Sequence, residues 1–100
     1  MIRKKVLIVD DDKWVRETLA EFIDLLGYQP IVAADGAQGL VCLETEQVSL
    51  VIADIKMPAM DGIEMMKRIK EKYPDLYVIL ISGYQPDTSW KDLILLRLNP

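Results

Sequence analysis

Three aspartates that follow runs of apolar residues are the side chains with the clearest chemical potential. Asp10 and Asp11 come directly after residues 6–9, and Asp54 comes directly after residues 50–53. Carboxylates packed together repel each other and need a cation, and an all-oxygen ligand set favours a hard ion such as Mg2+. A carboxylate can attack a phosphoryl donor when a metal neutralises charge and aligns that donor. If the fold brings the three together, the pattern predicts Mg2+-dependent phosphoryl chemistry.

Short apolar runs alternate along the chain with amphipathic segments that must position these aspartates. The apolar runs predict strands, and the amphipathic segments predict helices that begin near Asp12, Ala37 and Gly62. The predicted strands lie at residues 6–9, 30–33, 50–53 and 77–81. Such alternation across short loops indicates an α/β fold with a parallel sheet and right-handed crossovers. Ligands of such sheets bind beyond the carboxyl ends of the strands, where the strand order reverses. We therefore expect Asp10, Asp11 and Asp54 to converge on one cleft.

The first helix is predicted with Asp12 as its N-cap and with Gly27 just past its end. Its apolar residues recur at spacings of three and four, which predicts one buried face. That predicted face consists of Val15, Leu19, Phe22, Ile23 and Leu26.

A less specific interpretation exists for the aspartates, because Asp at a strand end often forms a turn or caps a helix. Taken alone, Asp10-Asp11 or Asp54 is explained better by that role. The segment from Asp54 to Gly62 favours the phosphoryl-chemistry interpretation, because it places the rigid Pro58 and a turn-forming Asp-Gly in one short connection.

Composition excludes several classes of function. The chain has 100 residues, enough for one domain, and a net charge of -4 with scattered basic residues, which argues against direct nucleic-acid binding. The absence of histidine excludes Ser-His-Asp catalysis and histidine metal sites, and the single Cys42 cannot form an internal disulfide. No signal peptide is recognisable, and no apolar stretch approaches the roughly 20 residues that span a bilayer. We expect a cytoplasmic protein.

Four motifs, in order and at matching spacing, resemble response-regulator receiver domains, the CheY-like modules of two-component signalling. Residues 6–12, with Arg16 and Leu19 beyond, resemble the start of these domains, and residues 34–37 resemble the entry to their second helix. Residues 54–62 are similar to the phosphoacceptor loop, and residues 78–83 to the fourth strand with its terminal Ser. The resemblance covers about residues 4–81. It implies a flavodoxin-like, doubly wound parallel sheet of strand order 2-1-3-4(-5).

The resemblance also implies a role for each matching residue. Asp54 corresponds to the residue phosphorylated by a histidine kinase or phosphotransfer protein, and Ser82 to the hydroxyl that binds the phosphoryl group. Asp11 corresponds to a direct Mg2+ ligand, Asp10 to its companion that often acts through water, and the backbone carbonyl of Lys56 to the third protein ligand.

Two further positions of the family tune how fast the phosphoryl group is lost, and here they are Lys56 and Tyr84. Lys56 is explained equally well as a solvated charge. Gly83 corresponds to a small residue that keeps the site accessible.

The resemblance fails at the C-terminus, so residues 1–100 are interpreted as one receiver domain that is incomplete there. The family has a fifth strand ending in Lys-Pro and a fifth helix, and this chain has no clear match for either. One alignment makes residues 88–98 the fourth helix, and the other makes residues 93–98 a strand with Asn99-Pro100 at the Lys-Pro position. We favour the helix, because Pro86-Asp87-Thr88 is a good helix start.

The favoured alignment has a consequence for association. It leaves the fourth strand as an open, apolar sheet edge, which proteins avoid. We therefore expect a homo-oligomer through that edge, a swapped element, or a piece of a longer chain.

Three functions compete. The leading one is phosphoryl acceptance on Asp54 in two-component signalling, with at most slow self-dephosphorylation and hence no enzyme in the usual sense. The second is an enzyme, and the sequence argues against it. A haloacid-dehalogenase-type phosphatase needs a second Asp where Lys56 stands, and a dinucleotide-binding domain needs a Gly-rich loop that is not found after the first strand. The third is a degenerate receiver that serves as a non-switching interaction module. The missing Lys supports it, whereas Asp10, Asp11, Asp54 and Ser82 oppose it.

Overall fold

The computed structural model describes residues 2–81 and the backbone of residues 95–98. Strands and helices alternate as predicted within residues 2–81, and the described residues form a sheet of five strands in the order β2-β1-β3-β4-β5. The first four strands are parallel to one another, which confirms the predicted doubly wound sheet. The elements are β1 (Lys5–Val9), α1 (Lys13–Leu25), β2 (Gln29–Ala33), α2 (Gly36–Thr45), β3 (Val48–Asp54), α3 (Gly62–Lys72), β4 (Tyr77–Ile81) and β5 (Leu95–Leu98).

The strand order reverses at β1, which lies between β2 and β3. Val9 pairs with Ala33 on one side and with Ala53 on the other. The last residue of β3, Asp54, pairs with Ile81 at the end of β4. The residues that follow β1 and the last residue of β3 are therefore neighbours at the carboxyl edge of the sheet.

The central strands are apolar throughout because both faces of the sheet are buried. Leu7, Val9 and Val51 point into the core beneath α2 and α3. Val6 and Ile8 point into a smaller core beneath α1, where Ile23 is the fully buried helix residue.

The helix ends follow the signals in the sequence. Asp12 caps α1, and its Oδ1 accepts from the N–H of Trp14 at 2.9 Å and of Val15 at 3.2 Å. Gly27 adopts a φ of 95°, the left-handed conformation expected just past a helix end. Asp61 caps α3 by accepting from the N–H of Glu64 at 2.8 Å.

The predicted buried face of α1 is only half correct. Ile23 is buried and Val15 and Leu19 are half-buried, but Phe22 and Leu26 are each 57% exposed. Periodicity identified an apolar half of the helix, and only one side of that half rests on the sheet.

The favoured helix over residues 88–98 is wrong at residues 95–98, which form β5; residues 82–94 lie outside the described residues. The strand alternative is correct there, but β5 runs antiparallel to β4, with Leu95 opposite Ile81 and Leu98 opposite Val78. The strand thus runs away from Asp54. Asn99 and Pro100, which the strand alternative aligns with the family's Lys-Pro, lie outside the described residues. β5 bonds to the backbone of β4, so the prediction that β4 is an open edge is also wrong.

Candidate functional site

The three aspartates converge at the carboxyl edge of the sheet, as predicted. Asp10 is 2% exposed, Asp54 is 6% exposed, and Asp11 lies at the surface. One carboxylate oxygen from each lies within 4.8 Å of the others. The parallel neighbours β1 and β3 produce this cluster, because the residues after β1 and the last residue of β3 reach the same edge of the sheet.

The turn after β1 is held at three points around Asp10. The N–H of Asp10 donates to the carbonyl oxygen of Ala33 at 3.2 Å, which continues the β1–β2 ladder beyond the strand. Its Oδ1 accepts from the N–H of Asp12 at 2.9 Å, and its carbonyl oxygen accepts from Nη1 of Arg16 at 2.8 Å. Arg16 therefore fixes the backbone between two site residues, a role that the sequence analysis did not assign.

Asp54 is oriented by the loop that follows it. Its Oδ1 accepts from the N–H of Lys56 at 3.2 Å, and the N–H of Ile55 donates to the carbonyl oxygen of Ile81 at 2.8 Å. The Lys56 side chain itself is exposed. The structure thus places Lys56 beside Asp54 through its backbone, while its roles as metal ligand and tuning residue remain predictions.

The loop from residue 55 to residue 61 is closed by tight backbone packing. The N–H of Gly62 donates to the carbonyl oxygen of Ile55 at 2.9 Å. Met57 is buried in the core beneath α2 and α3, and Ala59 adopts a positive φ of 67°. The loop is anchored at both ends and in its middle, which holds Asp54 in a defined position.

Burial and mutual repulsion make both inner carboxyls weak acids. Burial raises the pKa of Asp10 from 3.8 to about 6; the N–H of Asp12 opposes this, and the charges of Asp54 and Asp11 add to it. Burial also raises the pKa of Asp54, opposed by the N–H of Lys56 and reinforced by Asp11. Among residues 2–81, no Lys or Arg forms an ion pair with Asp10 or Asp54. The cluster therefore carries excess negative charge that a bound cation would neutralise.

The residues present fit a Mg2+ ion. All candidate donors are carboxylate or carbonyl oxygens, the ligand type that Mg2+ prefers. Octahedral Mg2+ holds its ligands at about 2.1 Å, so opposite ligands are about 4.2 Å apart. The observed spread of up to 4.8 Å among the three oxygens needs only a small contraction around an ion.

Ser82, Gly83 and Tyr84 lie outside the described residues, so their predicted roles are not addressed by the site geometry.

Comparison with known proteins agrees with this geometry. The chain matches the response regulator receiver domain family over residues 6–97 and belongs to that family. It is 42% identical over 84 residues to the sporulation initiation phosphotransferase F of Bacillus subtilis, covering 84% of this chain and 68% of that protein. It is 44% identical over 81 residues to the response regulator FleR of Pseudomonas aeruginosa, covering 80% of this chain but only 17% of that protein.

Solved structures show the same relationship. The response regulator TrrA of Thermotoga maritima in complex with Mg2+-BeF superposes with a TM-score of 0.78 and 35% identity over 82% of this chain and 71% of that chain. A complex of the histidine kinase ThkA with TrrA gives a TM-score of 0.76 and 35% identity, covering 86% of this chain and 74% of that chain. The chain is a receiver domain of two-component signalling.

Proposed function

We propose that Asp54 accepts a phosphoryl group from a histidine kinase or phosphotransfer protein, with Mg2+ held by Asp10, Asp11 and Asp54. The observation that carries this proposal is the buried Asp54 carboxylate, whose Oδ1 is fixed by the N–H of Lys56 at 3.2 Å within a three-carboxylate cluster. The Mg2+-BeF complex of TrrA and its complex with ThkA support the metal and the kinase as partners of such a domain.

The chain's own residues prepare the Asp54 carboxylate to attack a phosphoryl group in three ways. Burial on the β3 end excludes water from most of the carboxylate. The loop closed by Gly62 and the N–H of Lys56 set its orientation, and Arg16 holds the neighbouring turn that carries Asp10 and Asp11. Mg2+, when bound, supplies charge neutralisation and alignment of the phosphoryl oxygens.

The transfer itself exchanges one bond for another. A carboxylate oxygen of Asp54 forms a bond to phosphorus while the phosphorus–nitrogen bond to the donor histidine breaks. The electron pair of that bond returns to the imidazole nitrogen. The product is an acyl phosphate on Asp54, and we propose that the chain is a phosphoacceptor with at most slow self-dephosphorylation rather than an enzyme.

Further parts of the proposal rest on the family. The backbone carbonyl of Lys56 completes the Mg2+ ligands, Ser82 binds the phosphoryl group, and Lys56 and Tyr84 tune its loss. None of the helices within the described residues is long and apolar enough to cross a membrane. We place the domain in the cytoplasm, where histidine kinases phosphorylate their receivers, and propose no direct nucleic-acid contact because its net charge is -4.

Incubation with acetyl phosphate and Mg2+, read by intact mass, tests the central claim. We expect the mass of one phosphoryl group to be added to the wild type, and neither to Asp54→Asn nor to a metal-free sample. No gain in a wild-type sample shown to be folded by circular dichroism would refute phosphoacceptance. A receiver-shaped interaction module would then be the remaining function.

A further inference from the structure

A fourth carboxylate, that of Asp12, lies next to the aspartate cluster without belonging to it. The three cluster carboxylates each offer one oxygen within 4.8 Å of the others, and Asp12 is not among them. Its Oδ1 instead accepts from the N–H of Trp14 at 2.9 Å and of Val15 at 3.2 Å. Asp12 is therefore a neighbour of the proposed Mg2+ site and not one of its ligands.

The backbone of Asp12 connects this residue to the cluster. Its N–H donates to Oδ1 of Asp10 at 2.9 Å, so residue 12 touches one cluster carboxylate directly. Burial is the main cause of the raised pKa of Asp10, and the negative charge of Asp12 adds to it. The Asp12 carboxylate is thus close enough to act electrostatically on an ion that the cluster binds.

The other charges at this end of α1 are positive. α1 begins at Lys13, two residues after Asp11, and the N-terminal end of a helix carries a partial positive charge. The first turn of α1 contains no acidic residue, and the partner of Lys13 is the exposed Glu17 at 3.8 Å. Without the charge of Asp12, a positive helix end would lie beside a site for a cation.

The charge of Asp12 acts differently on the metal-free and the metal-bound cluster. In the metal-free protein it is unfavourable, because it adds to the repulsion among the carboxylates. With a divalent cation bound, the same charge attracts the ion. A charge that is unfavourable without the ion and favourable with it increases the affinity for the ion. Capping does not require this charge, since Asn and Ser cap helices about as well as Asp.

We propose that Asp12 strengthens Mg2+ binding at the aspartate cluster through its charge, which neutralises the positive end of α1 beside the site. Asp12 acts on the ion through space and does not coordinate it. The inference rests on the proposed function, because it requires Mg2+ at the cluster.

Titration calorimetry with Mg2+ at low ionic strength tests the proposal on the whole chain. Asp12→Asn removes the charge but keeps a capping oxygen, so circular dichroism should be unchanged. We expect the Mg2+ affinity to fall about threefold to tenfold. Asp12→Ser, a second neutral cap, should lose a similar amount. Asp35→Asn is the matched control, because it removes the same charge from the N-cap of α2, where Oδ1 accepts from the N–H of Gln38 at 2.8 Å. It should bind Mg2+ like the wild type.

Salt separates an effect of charge from an effect of structure. Asp12 is exposed, so the difference in affinity between the wild type and Asp12→Asn should shrink as the ionic strength rises to about 1 M. Equal affinities at low salt would overturn this inference and leave the proposed function intact. A loss that salt does not reduce, or that Asp35→Asn shows equally, would do the same. A folded wild type that binds no Mg2+ would overturn both.

Discussion

Gly62 lies so close to the backbone of Asp54 that no side chain fits at position 62. A Cβ there would overlap the carbonyl oxygen of Asp54 and lie 2.9 Å from its carbonyl carbon. The first residue of α3 is thus packed directly against the residue that carries the proposed phosphoryl group. Because of this contact, the position of α3 and the position of Asp54, the proposed nucleophile, depend on each other.

Gly62→Ala is expected to displace the loop after Asp54, because the obstructing atoms belong to backbone and cannot rotate away. The cost should be about 2 kcal/mol or more in the free energy of unfolding, measured in urea. Phosphorylation by acetyl phosphate should fall in the same variant. Gly27→Ala is the comparison, because a Cβ there meets nothing within 4 Å and only the positive φ is penalised, at about 1 kcal/mol. Equal losses for the two variants would contradict the packing argument.

Asp54→Asn should make the metal-free domain more stable while it abolishes phosphorylation. The substitution removes a buried charge that repels Asp10 and Asp11, and the amide oxygen can still accept from Lys56. The expected gain is on the order of 1 kcal/mol, or roughly 4–8 °C in Tm for a domain of this size. Asp35→Asn, which exchanges one good N-cap for another outside the cluster, should leave Tm nearly unchanged. A lower Tm for Asp54→Asn at neutral pH would show that the carboxylate is not under repulsion.

The stability of the metal-free protein should fall as pH rises from about 4 to about 7. The pKa of Asp10 is raised to about 6 in the folded state, so folding favours its protonated form. This contribution to the free energy of unfolding is lost as the pH rises from the ordinary Asp pKa of 3.8 through 6. For Asp10 alone the loss is at most about 3 kcal/mol. Asp54 acts in the same direction.

Mg2+ should reverse that trend, because it binds the deprotonated carboxylates. Thermal melts with and without Mg2+ should differ clearly at pH 8 and little at pH 5. Asp10→Asn should reduce both the metal-free pH trend and the Mg2+ effect. Equal stabilisation by Mg2+ at both pH values would argue against binding at the aspartate cluster.

Arg16→Met is expected to weaken Mg2+ binding without touching a ligand. Its Nη1 bonds to the carbonyl oxygen of Asp10 at 2.8 Å, so its loss frees the turn that carries Asp10 and Asp11. Residues that orient metal ligands typically contribute about tenfold or more to affinity. Arg68→Met removes an exposed Arg whose partner is Glu64 at 3.5 Å, and it should leave Mg2+ affinity unchanged. Titration calorimetry measures the Mg2+ affinity of both variants. Equal affinities for Arg16→Met and Arg68→Met would show that Arg16 does not position the Mg2+ ligands.

The convergence of the aspartates could be predicted because it depends on local patterns. Each Asp ends a strand, parallel neighbours end at a common edge, and the caps at Asp12 and Asp61 are encoded within a few residues of each helix start. The role of Arg16 was not predicted, since nothing in the sequence shows that its side chain reaches back to a carbonyl six residues earlier. Its only signal was its place in the resemblance.

Two other features depend on contacts that the sequence pattern does not show. Helical spacing groups Phe22 and Leu26 with Ile23, but it cannot show how much of that apolar half rests on the sheet. The short apolar segment of β5 fits a helix or a strand of either direction, and pairing with β4 decides among them. The helix start at Pro86-Asp87-Thr88 was a local signal, and it gave no information on residues 95–98.

The antiparallel direction of β5 divides the backbone amides of β4 into two classes. Successive amides of a strand point to opposite neighbours, so those of β4 alternate between β3, inside the parallel sheet, and β5, at its margin. β5 lies at the margin of the described sheet, where it pairs with β4, so it can separate without disturbing the pairing of the parallel strands. Amides facing β5 should therefore exchange with solvent through a local opening, while those facing β3 should wait for the whole domain to unfold. Hydrogen exchange along β4 would then alternate residue by residue, so that one strand reports both the weakest and the strongest parts of the sheet.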